Sequence, residues 1–207
     1  METARLKPVG SDCNLGRSMD ITETIKPANR KEWRGWLQEN QKTKTEIWLL
    51  LDKRPNVPAV EYLDAVEEAI CFGWIDGIAK KHSEFEKAQR LTPRRKRSNW
   101  TELNKERARR LIRLGLMTDA GQATLPDLSI NFWVAEDIVA ALKAKPDAWE
   151  HFESFPDLYK RVRIGYVEEM RKQPAEFDKR LRNFITKTAA GKMFGNWNDG
   201  GRLADEG

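Results

Sequence analysis

The spacing of apolar residues predicts a helix over residues 60–72. Large aliphatic side chains recur every three or four residues, which places them on one buried face; they are Leu63, Val66 and Ile70. Acidic side chains fill the positions between, where we expect them to face water: Glu61, Asp64, Glu67 and Glu68. Gly73 can adopt the left-handed conformation that ends such a helix, and residues 74–77 are expected to turn the chain toward an extended run.

Three stretches have the composition of β-strands. Residues 45–53 (TEIWLLLDK) are almost continuously apolar at their centre, which is typical of a strand covered on both faces. Residues 78–82 and 85–91 predict two antiparallel strands joined around Ser83 and Glu84. The pattern therefore predicts a small antiparallel sheet beside the helix.

Two capping patterns predict the starts of further helices. Asn29 is followed three residues later by Glu32, and Asn99 by Glu102, an arrangement that satisfies free N–H groups of a first turn. In the second of these helices the leucines are expected inside, at Leu103, Leu111 and Leu114. Its cations are expected outside, at Lys105, Arg107, Arg109, Arg110 and Arg113.

The last third of the chain is predicted to be helical in short pieces. Residues 124–134 (TLPDLSINFWV) first form an apolar linker that we expect to lie against the body, because Phe132 and Trp133 are costly to expose to water. Amphipathic helices then follow as far as Gly191. The residues after them are polar and glycine-rich.

These elements predict an α+β fold, with a small antiparallel sheet packed with helices and a mostly helical C-terminal part. We divide the chain into a disordered N-terminal tail (residues 1–25), an α+β part (26–123), a helical part (124–192) and a flexible tail (193–207). The two tails are assigned because they lack apolar periodicity.

Composition narrows the classes of protein further. The 207 residues are 40% hydrophobic and 33% charged, which fits a folded soluble chain of one domain or two small ones. A net charge of +5 permits anionic partners without requiring them.

Neither a membrane span nor a secretory signal is recognisable, so we expect a cytoplasmic protein. Two cysteines (Cys13 and Cys71) and two histidines (His82 and His151) form no disulfide framework and no metal-ligand spacing, so neither metal nor cofactor is expected.

The strongest polar cluster is the basic run of residues 89–100 (QRLTPRRKRSNW), which follows the corner formed by the predicted helix and turn. Clustered guanidinium groups, hydroxyl groups and the free N–H groups of a helix start can all donate hydrogen bonds to a phosphate or a carboxylate. The candidate ligand-binding residues are Trp74, Asp76, Arg90, Thr92, Arg94, Arg95, Ser98, Asn99 and Trp100.

Each candidate also has a structural interpretation. Charge runs are commonly solvated loops, a turn aspartate commonly bonds nearby backbone N–H groups, and Trp74 is of a type usually found in a core. Cys71 lies toward a helix C-terminus, whose dipole raises a thiol pKa, so we expect a buried thiol and not a nucleophile. We expect His82 to be an exposed histidine.

The chain contains a distinctive combination of four motifs. They are AICFGWIDG (residues 69–77), RLTPRR (90–95), LGLMTDAG (114–121) and, in the helical tail, DIVAALKAKPDAWEHFESFPDLYKR (137–161). In this combination, from about Lys31 to Lys192, the chain resembles the YdeI/OmpD-associated, or bacteriocin-protection, family. The resemblance implies a link to outer-membrane proteins and to tolerance of antimicrobial peptides, and it implies no catalytic residues.

The sequence thus favours a binding or stress-tolerance protein, without catalytic residues, that holds a small anionic ligand or a peptide partner at the corner described above. Two alternatives stay open. A nucleic-acid backbone could bind the basic surface of residues 90–113, although no recognised motif supports it. An enzyme could use Asp76 as its acid or base, with arginines stabilising developing negative charge.

Overall fold

The fold is described from a computed structural model, which describes residues 20–96, 98–129 and 132–203. Four strands are present in this part of the chain: β1 (Thr24–Ile25), β2 (Ile47–Asp52), β3 (Trp74–Lys81) and β4 (Glu86–Pro93). The helices are α1 (Arg30–Asn40), α2 (Tyr62–Cys71), α3 (Glu102–Arg113), α4 (Asp119–Gln122), α5 (Glu136–Lys143), α6 (Pro146–Ser154), α7 (Asp157–Glu168) and α8 (Pro174–Ala189). The predicted α+β class with a helical C-terminal part is confirmed.

The sheet has the strand order β1-β2-β4-β3. The β3–β4 hairpin is antiparallel as predicted, and β2 pairs antiparallel with β4, so that Ile47 lies opposite Leu91. The short β1 pairs parallel with β2, which makes the sheet mixed and not wholly antiparallel. Ile47, Trp48 and Leu49 are fully buried, as expected of a covered strand. The predicted turn at residues 74–77 is wrong, because these residues form the start of β3.

The first hydrophobic core lies between the sheet, α1 and α2. Its largest members are aromatic and aliphatic side chains from all three, including Trp33, Leu37, Ile70, Trp74 and Leu91. The predicted cap of α1 is confirmed: the Glu32 amide donates to Asn29 Oδ1 at 3.0 Å, and the Ala28 amide donates to Glu32 Oε2 at 2.8 Å.

The acidic face of α2 is not as predicted, because Glu67 and Glu68 are each only 1% exposed. Arg30 of α1 reaches both, with nitrogen–oxygen distances of 2.6 Å to each carboxylate. Arg34 donates to Glu68 at 2.6 Å, and Arg110 of α3 donates to Glu67 at 3.0 Å. Periodicity within α2 could not reveal these partners, because they come from other helices.

Helix α3 begins later than its predicted cap. Thr101, and not Asn99, is the N-cap, and its hydroxyl accepts from the Asn104 amide at 3.1 Å. The buried face is correspondingly different: Arg107 is 5% exposed, whereas Leu114 is 48% exposed. The predictions for these two side chains are therefore wrong, since the structure buries a paired cation and leaves the last leucine in solvent.

A second hydrophobic core is built by α5 to α8, around Ile138, Tyr159 and Phe184. The linker before it is only partly as predicted. Leu125 packs against the first core, but Trp133 is 74% exposed.

Beyond α8 the chain returns to the N-terminal part. Within the predicted flexible tail, Asp199 and Leu203 are 2% and 3% exposed, which differs from a loose segment. Residues 1–19, which make up most of the predicted N-terminal tail, and residues 204–207 lie outside the described residues. Among the helices of the described ranges, none is long and apolar enough to cross a membrane.

Candidate anion-binding site

Arg94 lies directly after β4, where its backbone amide donates to the Gly73 carbonyl at 2.8 Å. Its side chain is only 8% exposed. The guanidinium carbon lies 3.6 Å from the centre of the Trp100 ring, so the two groups stack. The three guanidinium nitrogens are buried and have no hydrogen-bond partner in the described part of the chain.

The electrostatic consequence is a buried guanidinium charge without a hydrogen-bonded counter-charge. Burial lowers the pKa of Arg94 to about 10, and the negative charge of Asp76 opposes this shift only in part. Desolvating an ionised side chain costs several kcal/mol, whereas a desolvated cation–π contact contributes about 2 kcal/mol. The Trp100 ring therefore does not offset the desolvation of Arg94.

A cavity of about 500 Å³ adjoins Arg94 and Trp100. Its lining combines three cations and two hydroxyl residues with apolar side chains; the full lining is Arg94, Arg95, Lys96, Ser98, Trp100, Ala123, Thr124, Leu125 and Pro126. No carboxylate is among these residues. Arg95 and Lys96 are exposed at the surface, and neither forms an ion pair with any residue that the structure describes. We call this space the Arg94 cavity.

The part of the lining that residues 123–126 contribute is held in place by α4. The Thr118 amide and hydroxyl both donate to the Cys71 carbonyl, at 3.1 and 2.7 Å. A Cβ atom at Gly121 would overlap the same carbonyl group, so this close approach of α4 to the end of α2 requires glycine. Residues 123–126 follow α4 directly and are thereby brought against the basic run.

A second cavity of about 380 Å³ shares three residues with the Arg94 cavity and extends toward the sheet. It contains the predicted residues Arg90 and Thr92. Arg90 forms an ion pair with Glu46, which directly precedes the neighbouring strand β2, so its charge is already compensated. The structure thus brings together Arg94, Arg95, Ser98 and Trp100, and places Arg90 and Thr92 beside them.

Three candidates lie elsewhere. Trp74 is 1% exposed and packs edge-on against Trp36, with ring centres 6.0 Å apart, so it belongs to the core. Asp76 lies in β3 and accepts a hydrogen bond from the Tyr62 hydroxyl at 2.8 Å. Asn99 lines a different cavity, together with residues of α3 and α7.

The cations of α3 differ from those of the Arg94 cavity because most of them are paired. Lys105 contacts Glu102 at 2.6 Å, Arg109 contacts Glu106 at 2.8 Å, and Arg110 contacts Glu67. Arg107 holds Asp199 through two hydrogen bonds of 2.6 and 2.7 Å. These ion pairs stabilise the fold, and they leave few unpaired cations on the surface of the helix.

In the described part of the chain, neither the thiol of Cys71 nor a cluster of metal-ligand side chains gives a competing site. Cys71 is fully buried, and burial together with the nearby Glu68 raises the pKa of its thiol to about 12, so the thiol stays protonated at neutral pH. No group of three potential metal ligands is present in the described ranges.

The lining residues 123–126 were missed by the sequence reasoning. The apolar character of TLP (124–126) was visible in the sequence, and it indicated a segment that lies against the body. Which surface it covers depends on the docking of α4, and no local pattern reports that.

Residues 131–191 match the model of the family described as bacteriocin-protection, YdeI or OmpD-associated. The match supports the expected resemblance to this family over the helical part of the chain. Residues 25–124 match a separate domain of unknown function, DUF8412. No curated protein and no solved structure matches the chain. The Arg94 cavity is therefore lined by residues that precede the YdeI/OmpD-associated segment and lie in or next to the match to the domain of unknown function.

Proposed function

We propose that this YdeI/OmpD-associated protein is a binding protein that takes a small anion in the Arg94 cavity. The observation that carries the proposal is the buried, unpartnered guanidinium of Arg94 at a cavity lined by two further cations and no carboxylate. A bound anion would supply the hydrogen-bond acceptors that Arg94 lacks. Hydrogen bonds of this charged kind contribute about 1.5–3 kcal/mol each.

Access to Arg94 requires a movement of its surroundings. The guanidinium nitrogens are covered in the present conformation. An anion therefore reaches them only when the basic run or residues 123–126 move aside. Such a step predicts association slower than a free encounter with an open surface.

Two other functions have less support. A nucleic-acid backbone would need free cations along residues 90–113, but Arg90 and most cations of α3 have carboxylate partners. An acid–base role for Asp76 would compete with the hydrogen bond that it accepts from Tyr62. A cytoplasmic location and a role in tolerance of antimicrobial peptides stay predictions from the sequence.

A thermal-shift screen tests the proposal. Wild-type protein would be heated with phosphate, sulfate, small carboxylates, sugar phosphates and nucleotides, in parallel with Arg94→Met. At a ligand concentration of about 100 times Kd the expected stabilisation is about 2.7 kcal/mol, or a rise in Tm of roughly 5–10 °C. The rise should vanish in Arg94→Met and persist in the control Arg113→Ala, which removes an exposed arginine outside the cavity. A shift that survives in Arg94→Met would place the binding elsewhere and contradict the proposal.

A further inference from the structure

The Arg94 cavity is much larger than an inorganic anion requires. Its volume of about 500 Å³ lies within the range of about 300–1,000 Å³ that is typical of pockets for small organic ligands. An inorganic anion bound to Arg94 would leave most of this space to water. A ligand that fills it must therefore have a body as well as a charged group.

The lining indicates what kind of body fits. Trp100, Ala123, Leu125 and Pro126 contribute apolar surface, and the three cations are consecutive, at residues 94–96. The Trp100 ring stacks on Arg94 and also lines the cavity, so apolar surface lies next to the buried cation. Leu125 is anchored by its contact with the first hydrophobic core. A cavity whose lining combines cations with apolar surface is complementary to an amphipathic ligand.

The charge count favours a ligand with a single negative charge beside Arg94. Arg94 is buried, whereas Arg95 and Lys96 are exposed to solvent. One buried guanidinium compensates one buried negative charge, and a second negative charge beside it would be desolvated without a buried partner. The planar fork of a guanidinium also matches the planar carboxylate, which it can bind through two parallel hydrogen bonds.

From these observations, and on the basis of the proposed function, we infer that the ligand is an amphipathic monocarboxylate with an acyl or aryl body. Its carboxylate pairs with Arg94, and its apolar body lies against the wall of Trp100, Leu125 and Pro126. The exposed cations Arg95 and Lys96 attract the anion to the cavity and remain solvated when it is bound.

A chain-length series of ligands tests this inference. Isothermal titration calorimetry of the full chain with straight-chain carboxylates from butanoate to decanoate, each below its aggregation concentration, measures Kd for each length. Affinity should rise about fourfold per methylene, the factor that corresponds to about 0.8 kcal/mol per buried CH₂, until the cavity is full. Inorganic phosphate, butyl phosphate and the matching alkylamines complete the panel.

Two matched variants locate the apolar wall. Leu125 and Leu128 both pack, partly buried, against the first core, but only Leu125 lines the cavity. Leu125→Ser should flatten the dependence on chain length, and Leu128→Ser should leave it unchanged. Arg94→Met should weaken binding of every carboxylate by at least tenfold.

The contrary outcomes separate the inference from the proposed function. Binding of phosphate that depends on Arg94, with no dependence of affinity on carboxylate chain length, would overturn the inference and leave the proposed function standing. Alkylamines that bind as well as carboxylates would overturn the inference. Absence of binding by every anion in the panel would overturn both.

Discussion

Two of the four arginines that are buried in the described part of the chain, Arg94 and Arg107, differ in how their charges are compensated. Arg107 has a carboxylate partner, Asp199, in a fully formed two-point ion pair. Arg94 has a tryptophan ring and no carboxylate within hydrogen-bond reach among the described residues. Removing one partner of a buried pair is strongly destabilising, whereas replacing an uncompensated buried charge by an apolar group removes a desolvation cost. The two sites therefore predict opposite effects of the same substitution.

Arg94→Met should raise the free energy of unfolding by about 1–2 kcal/mol, because methionine fills the space without requiring hydrogen bonds. Arg107→Met should lower it by about 3–5 kcal/mol, because the buried Asp199 carboxylate is left without its cation. Urea unfolding of the two variants beside wild type measures both. If Arg94→Met proves as destabilising as Arg107→Met, Arg94 is a structural residue and not a binding residue.

Cys71 should be inert in the folded protein. Its thiol is buried and its pKa is raised to about 12, so the reactive thiolate is scarce and inaccessible at neutral pH. In a Cys13→Ser variant, which leaves Cys71 as the single cysteine, alkylation by iodoacetamide at pH 8 should occur only as the protein unfolds. Labelling within minutes under native conditions would contradict the assigned burial.

At the scale of elements, α2 owes its position to buried carboxylates as much as to its apolar stripe. Glu67 and Glu68 accept from arginines of α1 and α3, so that three helices meet at one group of charges. The arginine side chains are 21–33% exposed, which lets water share in the compensation.

Glu67→Gln should lower the free energy of unfolding by about 2–3 kcal/mol, which is less than the 3–5 kcal/mol typical of a wholly buried pair because of this partial exposure. Glu61→Gln is the matched control, since its side chain is 77% exposed and contacts Arg202; it should change stability by about 0.5 kcal/mol or less. Chemical denaturation of both variants at the same ionic strength measures the two changes in the free energy of unfolding. Equal effects would refute the assigned burial of Glu67.

Features of the elements that depend on neighbours in sequence could be predicted from the sequence. The Asn29 cap, the covered β2 strand, the β3–β4 hairpin and the left-handed Gly73 are examples, each fixed by a few consecutive residues. The burial of Glu67 and the displaced cap at Thr101 could not be predicted, because each depends on a side chain or segment that only the folded structure brings close.

At the scale of the whole molecule, the segment of residues 196–203 connects the two hydrophobic cores. Trp197 packs edge-on against Tyr159 of α7, with ring centres 5.6 Å apart, while Asp199 binds Arg107 of α3. Arg202 donates to Asp64 of α2 at 2.6 Å. This segment lies outside both family matches, which end at residues 124 and 191, yet it contains the most deeply buried ion pair described above.

Asp199→Asn should lower the free energy of unfolding by about 3 kcal/mol, because Arg107 loses its buried counter-charge. Asparagine tolerates the left-handed backbone at this position, where φ is 51°, so the substitution isolates the charge from backbone strain. Asp157→Asn, at an ion pair whose aspartate is 87% exposed, should have little effect. Combining Asp199→Asn with Arg107→Met should cost less than the sum of the two single changes; full additivity would show that the pair is not coupled.

For the candidate site too, features that depend on consecutive residues could be predicted from the sequence, and features that depend on the packing of distant segments could not. The basic run and its proximity to the corner at Gly73 could be predicted, since both follow from the hairpin and from the order of residues along the chain. The assignment of Trp74 to the core and the contribution of residues 123–126 could not, because they depend on how α1 and α4 dock.

The most direct test of the central claim is a ¹⁵N-edited NMR spectrum of the arginine Nε–Hε groups, recorded with and without octanoate. The Arg94 resonance is assigned by its absence from the spectrum of Arg94→Lys. The account predicts that this resonance moves downfield on titration, while the Arg107 resonance stays in place because its partner does not change. A spectrum in which exposed arginines respond and Arg94 does not would contradict the assignment of Arg94 as the anion-binding residue.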